Sequence, residues 1–161
     1  MAVELDDLDL RIVSLLIKEG RTPAAQIADQ IGLSRPAVAD RLEKLERQGV
    51  IRGTTAVVDP VALGNKITAF VAARGPTMSP TGWRKFRDLM QRGEILEVHT
   101  VAGDDCFFIK VRTKSIAELN ELVQLFTAFP MSLATRTTIV MQTHCEKVGG
   151  IDLGGEEAAT R

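Results

Sequence analysis

The spacing of apolar residues changes character once along this chain, near Asn65, and that change restricts the possible folds more than any other feature. Before it, apolar residues recur every three to four positions, the period of helices packed on one face. After it, stretches with a period close to two appear, the mark of half-buried strands, and they alternate with further helical segments. A single packing regime does not satisfy both patterns. The chain therefore reads as two small domains, residues 1–58 and 66–146, joined by a linker at 59–65. Residues 147–161 lack apolar periodicity and read as a mobile tail. A length of 161 residues accommodates two such units.

In the first domain, Asp7–Glu19 carries Leu8, Ile12 and Leu15 on one stripe with Val13 and Leu16 beside it, and Gly20 stands where a left-handed cap would end the helix. Thr22 is placed to cap a second helix with Pro23 at its first position, and Ala24, Ile27, Ala28 and Ile31 turn inward before Gly32. Ser34 caps a third helix, in which Val38, Leu42 and Leu45 follow the i, i+4, i+7 spacing before Gly49. The β-branched run Val50–Pro60 reads as one or two strands beside the helices, as in a winged variant.

In the second domain, strands are expected at Lys66–Arg74, Ile95–Ala102, Cys106–Thr113 and Leu133–Thr143. Ser79-Pro80 opens a helix bearing Trp83, Phe86, Leu89 and Met90, closed by Gly93. Ser115-Ile116-Ala117-Glu118 is a capping box for a helix bearing Leu119, Leu122, Val123 and Phe126. Gly103-Asp104-Asp105 supplies a hairpin turn between the two central strands. Strand, helix, strand, strand, helix, strand is the split βαβ order. The expected class is α+β: an N-terminal winged helix-turn-helix plus a C-terminal ferredoxin-like βαββαβ domain.

For a helix-turn-helix, DNA recognition requires the second helix to offer outward side chains to base edges and its N-terminus and flanks to phosphates. With Val38, Leu42 and Leu45 inward, the outward arc of the third helix holds Pro36, Asp40, Glu43 and Arg47, with Ala39 and Lys44 on its shoulders. Ser34 and Arg35 lie at the end that would enter the groove. Arg35 is the base-edge candidate, because a guanidinium pairs in two places with guanine. Lys44, Arg47 and Arg52 are phosphate candidates, and Arg41, on the flank of the buried stripe, serves either role.

Charge argues the other way. The whole chain carries a formal net charge of −1, so electrostatic attraction to DNA must be local. Residues 33–53 hold five cations against three carboxylates, a net charge of only +2. A three-helix structural or protein-binding module would show the same pattern, so a ligand-binding or assembly module without DNA binding stays open as the alternative.

No apolar run approaches the roughly 18–20 residues that span a bilayer, and MAVELDDLDL is acidic where a secretory signal is basic and then apolar. A cytoplasmic, nucleoid-associated protein with no membrane partner is expected. Two cysteines, Cys106 and Cys145, make no disulfide framework, and His99 and His144 have no metal-ligand spacing with them beyond the adjacent His144-Cys145 pair, whose side chains diverge on a strand. Neither a metal nor a cofactor is expected. Trp83 and Phe86, at helical i, i+3, read as core rather than a base-stacking platform. No phosphate loop, nucleophile elbow or catalytic carboxylate pair stands out, so no catalytic residue and no enzyme activity is expected.

Leu5-Asp6-Asp7-Leu8-Asp9, Arg11-Ile12-Val13, Gly20-Arg21, Ile27-Ala28, Gly32-Leu33-Ser34, Val38, Arg41-Leu42, Leu45-Glu46, Gly49-Val50-Ile51 and Gly64 together resemble the leucine-responsive and asparagine-operon (Lrp/AsnC, feast/famine) regulators. Glu97-Val98, Val101-Ala102-Gly103 and Thr137-Thr138-Ile139-Val140 extend the resemblance over residues 5–145. It implies a sequence-specific regulator of transcription that binds double-stranded DNA, with a linker strand and an effector domain. It also implies dimers formed through the sheets, octamers or similar rings, and a small-molecule effector, often an amino acid, held between dimers.

Carried over residue by residue, the effector segments are Gly103, Asp104, Asp105 and Cys106 with Thr137 and Thr138. Cys106 departs from the pattern, since a thiol occupies the usual acidic position and the acid stands one place earlier. Adjacent strand residues face opposite ways, so Asp105 is no simple replacement. Cys106 itself reads as a small packing residue, with thiol sensing as the alternative.

Overall fold

The computed structural model describes residues 3–128 and 130–147 and divides the chain into two compact units, one running to Val57 and the other spanning Val58–Cys145. Residues 148–161 of the expected tail lie outside the described residues.

The first unit is three helices: α1 (Asp7–Lys18), α2 (Ala24–Ile31) and α3 (Arg35–Arg47). Their apolar stripes meet in one core of Ile12, Ile27, Ala28, Ile31, Val38 and Leu45, with Leu8, Leu15, Leu42, Val50 and Ile51 packed around it. Burying each of the large aliphatic side chains contributes roughly 1.5–3 kcal/mol. The α2–α3 turn depends on Gly32, whose φ of 74° lies in the left-handed region. Arg11 of α1 reaches across and donates to the Gln30 carbonyl at the end of α2.

Three local expectations change here. Thr22 does not cap α2; its hydroxyl donates to the Glu19 carbonyl at 2.7 Å, closing the end of α1, and Pro23 occupies the cap position without a side-chain bond. Gly20 is not left-handed, because α1 ends one step earlier at an extended Glu19. A Cβ there would make a tight contact, 3.1 Å from Thr54 Cγ2. The run Val50–Pro60 forms no strand. Val50 and Ile51 turn back to donate to the Leu45 carbonyl, and Val57, 73% exposed, has no neighbouring strand to satisfy its backbone.

The second unit comprises β1 (Ile67–Arg74), α4 (Pro80–Leu89), β2 (Ile95–Thr100), β3 (Phe107–Thr113), α5 (Ile116–Thr127) and β4 (Ala134–Ile139). The sheet order is β2-β3-β1-β4, with every neighbouring pair antiparallel, which is the ferredoxin-like plan. Register puts Ala69, Val71, Ala73, Phe107, Ile109 and Val111 on one face, where they pack with Phe86, Leu89, Leu119, Leu122 and Phe126 from the two helices.

The strands are shorter than the alternation suggests. β2 stops at Thr100 and β3 starts at Phe107; beyond these ends the Val101 N–H donates to the Cys106 carbonyl at 3.0 Å and the Cys106 N–H to the Ala73 carbonyl at 2.9 Å. β4 ends at Ile139, beyond which it has only the Val140 bond to Thr68. A bulge at Leu96 shifts the β2–β3 register. Ser115 caps α5 as expected, but Glu118 returns to the Lys114 N–H rather than to that of Ser115. Trp83 is 38% exposed rather than core, lying edge-on to Phe86 and Phe107 at the rim.

Candidate nucleic-acid interface

Local chemistry shapes the candidate interface on the α2–α3 pair. Ser34 Oγ accepts from the Ala37 N–H at 3.3 Å, the Val38 N–H donates to the Ser34 carbonyl, and Pro36 has no N–H, so of the first turn of α3 only the Arg35 N–H is left without an intrahelical acceptor. Arg35, Pro36, Asp40, Glu43, Arg47 and Arg52 are all exposed. Arg47 makes only a 3.4 Å surface pair with Glu43 one turn back, worth a few tenths of a kcal/mol.

Arg41 and Lys44 are placed differently. Arg41 Nη1 donates to Asp6 at 2.7 and 2.9 Å and to Asp9 Oδ1 at 2.6 Å, while Lys44 Nζ donates to Asp9 Oδ2 at 3.1 Å. The same two aspartates cap α1: the Asp9 N–H donates to Asp6 Oδ1 at 2.8 Å, and the Asp6 N–H to Asp9 Oδ2 at 3.5 Å. Neither carboxylate falls within residues 33–53, and counting both reduces the +2 of that segment to zero.

The electrostatics follow from these contacts. The Asp9 N–H, then Arg41, holds the Asp6 carboxyl below its ordinary range. Burial works to raise Asp9, but hydrogen bonds from Lys44, Arg41 and the Asp6 N–H outweigh it and hold that carboxyl low as well. Asp6 and then Asp9 raise Arg41. Sequence reading alone did not assign these aspartates to the site. The available signal was the spacing Asp6-x-x-Asp9 ahead of an apolar run, a capping-box pattern.

In the second unit a hollow of about 400 Å³ is lined by Arg74, Gly75, Pro76, Asp104, Cys106, Ser132 and Ala134. Of the expected effector residues it gathers Asp104 and Cys106. Asp105 turns away to accept from Arg136 at 3.0 Å. Gly103 lies in the preceding turn. Thr137 and Thr138 stand further along β4, about 10 Å or more from Ala134 at 3.3 Å per residue. They face opposite sides of the sheet, opposite Val71 and Phe70 respectively. Cys106 Sγ lies 3.8 Å from the Gly75 carbonyl.

The sheet face turned away from α4 and α5 carries Phe70 and Phe108, both partly exposed, beside a polar group in which Glu97 accepts from Lys110 at 3.2 Å and lies 3.3 Å from His99 Nε2. Hydrogen bonding to His99, then to Lys110, holds the Glu97 carboxyl low against the opposing effect of burial. Among the described residues no helix is long and apolar enough to cross a membrane.

Comparison with known proteins gives two family matches, a winged helix-turn-helix DNA-binding model over residues 5–52 and an Lrp/AsnC ligand binding domain model over residues 68–149. The HTH-type transcriptional regulator FL11 of Pyrococcus abyssi is 36% identical over 146 residues, covering 91% of this chain and 95% of that protein. The leucine-responsive regulatory protein of Escherichia coli is 31% identical over 141 residues, 86% of each chain. The crystal structure of the leucine response regulatory protein of Mycobacterium tuberculosis superposes with a TM-score of 0.76 at 31% identity, covering 89% of this chain and 97% of that one.

Proposed function

This chain belongs to the Lrp/AsnC family of transcriptional regulators, and from that membership we propose that α3 enters the major groove with Arg35 at base edges and Arg47 and Arg52 on phosphates. The observation that carries this reading is the Ser34-capped start of α3, which presents the Arg35 side chain on an exposed helix end. Pro36 and Asp40 complete the outward surface, Asp40 as an acceptor suited to a cytosine amino group. Selection from a random-sequence duplex library tests the reading. A motif whose preference is relaxed by Arg35→Ala supports it, and a selection that yields no motif overturns it.

The regulator acts as a homo-oligomer in the cytoplasm, associated with the nucleoid, and not as an enzyme. Its dimer packs through the sheet face bearing Phe70 and Phe108, and dimers assemble further into an octamer or similar ring. The effector is an amino acid or related metabolite, in keeping with the name of the leucine-responsive relative, and it contacts the Gly103–Cys106 turn. Thr137 and Thr138 contribute from a neighbouring dimer, since within one chain they lie away from the hollow. Thermal-shift screening of amino acids measures this. A stabilising ligand whose effect is lost on Asp104→Ala is expected, and no response to any amino acid or related metabolite would remove the effector from the proposal.

A further inference from the structure

Asp9 is the only charged residue buried among the described residues, its side chain fully covered while Arg41 and Lys44 remain 26% and 37% exposed. Both cations lie on one shoulder of α3, three residues apart, and both are directed at the N-terminus of α1. Asp6 adds a second carboxylate to Arg41. Stability does not by itself explain such an arrangement, because an apolar side chain of similar volume often stabilises as well as a buried ion pair. Besides its share of the α1 capping box, what a leucine at this position would lack is the ability to hold two cations of this helix and cancel their charge.

Resting on the DNA-binding reading above, we infer that Asp9, backed by Asp6, is a positioning residue that withholds Arg41 and Lys44 from DNA phosphates. Affinity for DNA of arbitrary sequence is thereby kept low, and discrimination falls to the exposed residues of α3. The argument is one of counterions. Each phosphate neutralised by a protein cation adds about 0.9 to the slope of log affinity against log salt and strengthens binding to every sequence alike. A cation already paired with a carboxylate adds neither net charge nor a phosphate contact.

The test is fluorescence anisotropy of the full chain on two labelled duplexes, one of mixed sequence and one enriched by selection, over a series of KCl concentrations. Asp9→Asn is expected to bind the mixed duplex several-fold more tightly, with a salt slope steeper by about one to two per DNA-bound subunit, and to lose discrimination between the duplexes. Asp6→Asn, at a half-exposed side chain, shifts both readouts in the same direction by less, and it carries the test if Asp9→Asn does not fold. Lys44→Ala alone leaves the slope unchanged, whereas added to Asp9→Asn it reverses about one unit of the gain. A purely structural role would weaken both duplexes in parallel at constant slope. That result in either aspartate variant, or a flatter slope in Lys44→Ala alone, overturns the inference while DNA binding stands. A wild-type protein that binds neither duplex removes the DNA-binding reading, and the inference with it.

Discussion

Each unit of this protein holds a cluster of carboxylates and cations, and the two differ in surroundings far more than in geometry. In the helical unit Lys44 Nζ lies 3.1 Å from Asp9, and in the sheet unit Lys110 Nζ lies 3.2 Å from Glu97. Yet the Asp9 side chain is fully covered and the Glu97 side chain is 48% exposed. Around Glu97, water and salt screen the attraction, and ordering two long side chains offsets much of what remains. Around Asp9, the carboxylate has given up its hydration and depends on the protein donors that replace it. Burial, not distance, decides what an ion pair is worth here.

The largest effect expected from that contrast is Asp9→Ala, which should destabilise the helical unit by about 2–3 kcal/mol in denaturant unfolding, the scale of lost hydrogen bonds to a charged group. The cost stays below the roughly 3–5 kcal/mol of a stranded buried charge, because Arg41 and Lys44 can turn to water. Acid should reveal the same cluster. The folded-state Asp6 and Asp9 carboxyls sit below their ordinary value of 3.8, so their contribution is full above that value and is lost as pH falls through the lower folded-state values. The melting temperature of the helical unit is therefore expected to drop on acidification below about pH 4, and Asp9→Asn to flatten that drop.

Glu97→Gln should move the stability of the sheet unit by less than about 0.5 kcal/mol, because the pair it breaks is screened. Unfolding curves that placed this variant beside Asp9→Ala would break the comparison. The smallest effect separates the two clusters by salt: raising ionic strength should remove what little Glu97→Gln costs and leave the cost of Asp9→Ala nearly unchanged.

Much of the fold was legible because its signals are local. Ser34, Ser79 and Ser115 each cap the helix that follows, and a cap acts on an N–H three residues away. The alternation in β1 and β3 likewise places Val71 and Ile109 inward from spacing alone. Where local chemistry offers two outcomes, the local signal does not choose between them. Thr22 had a following helix to cap and a preceding carbonyl to close, and it takes the carbonyl. The run Val50–Pro60 has the composition of a strand, but composition does not supply a partner for its backbone.

The candidate site divides in the same way. Arg35, Arg47 and Arg52 were readable as exposed cations because helical periodicity assigns them to the outer face or beyond it. The same periodicity put Lys44 on a shoulder of that face and Arg41 on the flank of the buried stripe, and their engagement depends on residues 32 and 35 positions earlier in the chain. In the sheet unit, Asp104 and Cys106 meet Arg74 and Ser132 in one hollow only because β3 and β4 flank β1.

Except at α2, the sequence by itself determined where helices start, along with which stripe of each is apolar and where the period turns from helical to extended, since those signals act over a few residues of a chain whose geometry repeats. Only the tertiary structure decided which cations of α3 are held by buried or capping carboxylates. Charge pairing depends on distance in space and on exclusion of water, and both arise when α1 and α3 close over Asp9.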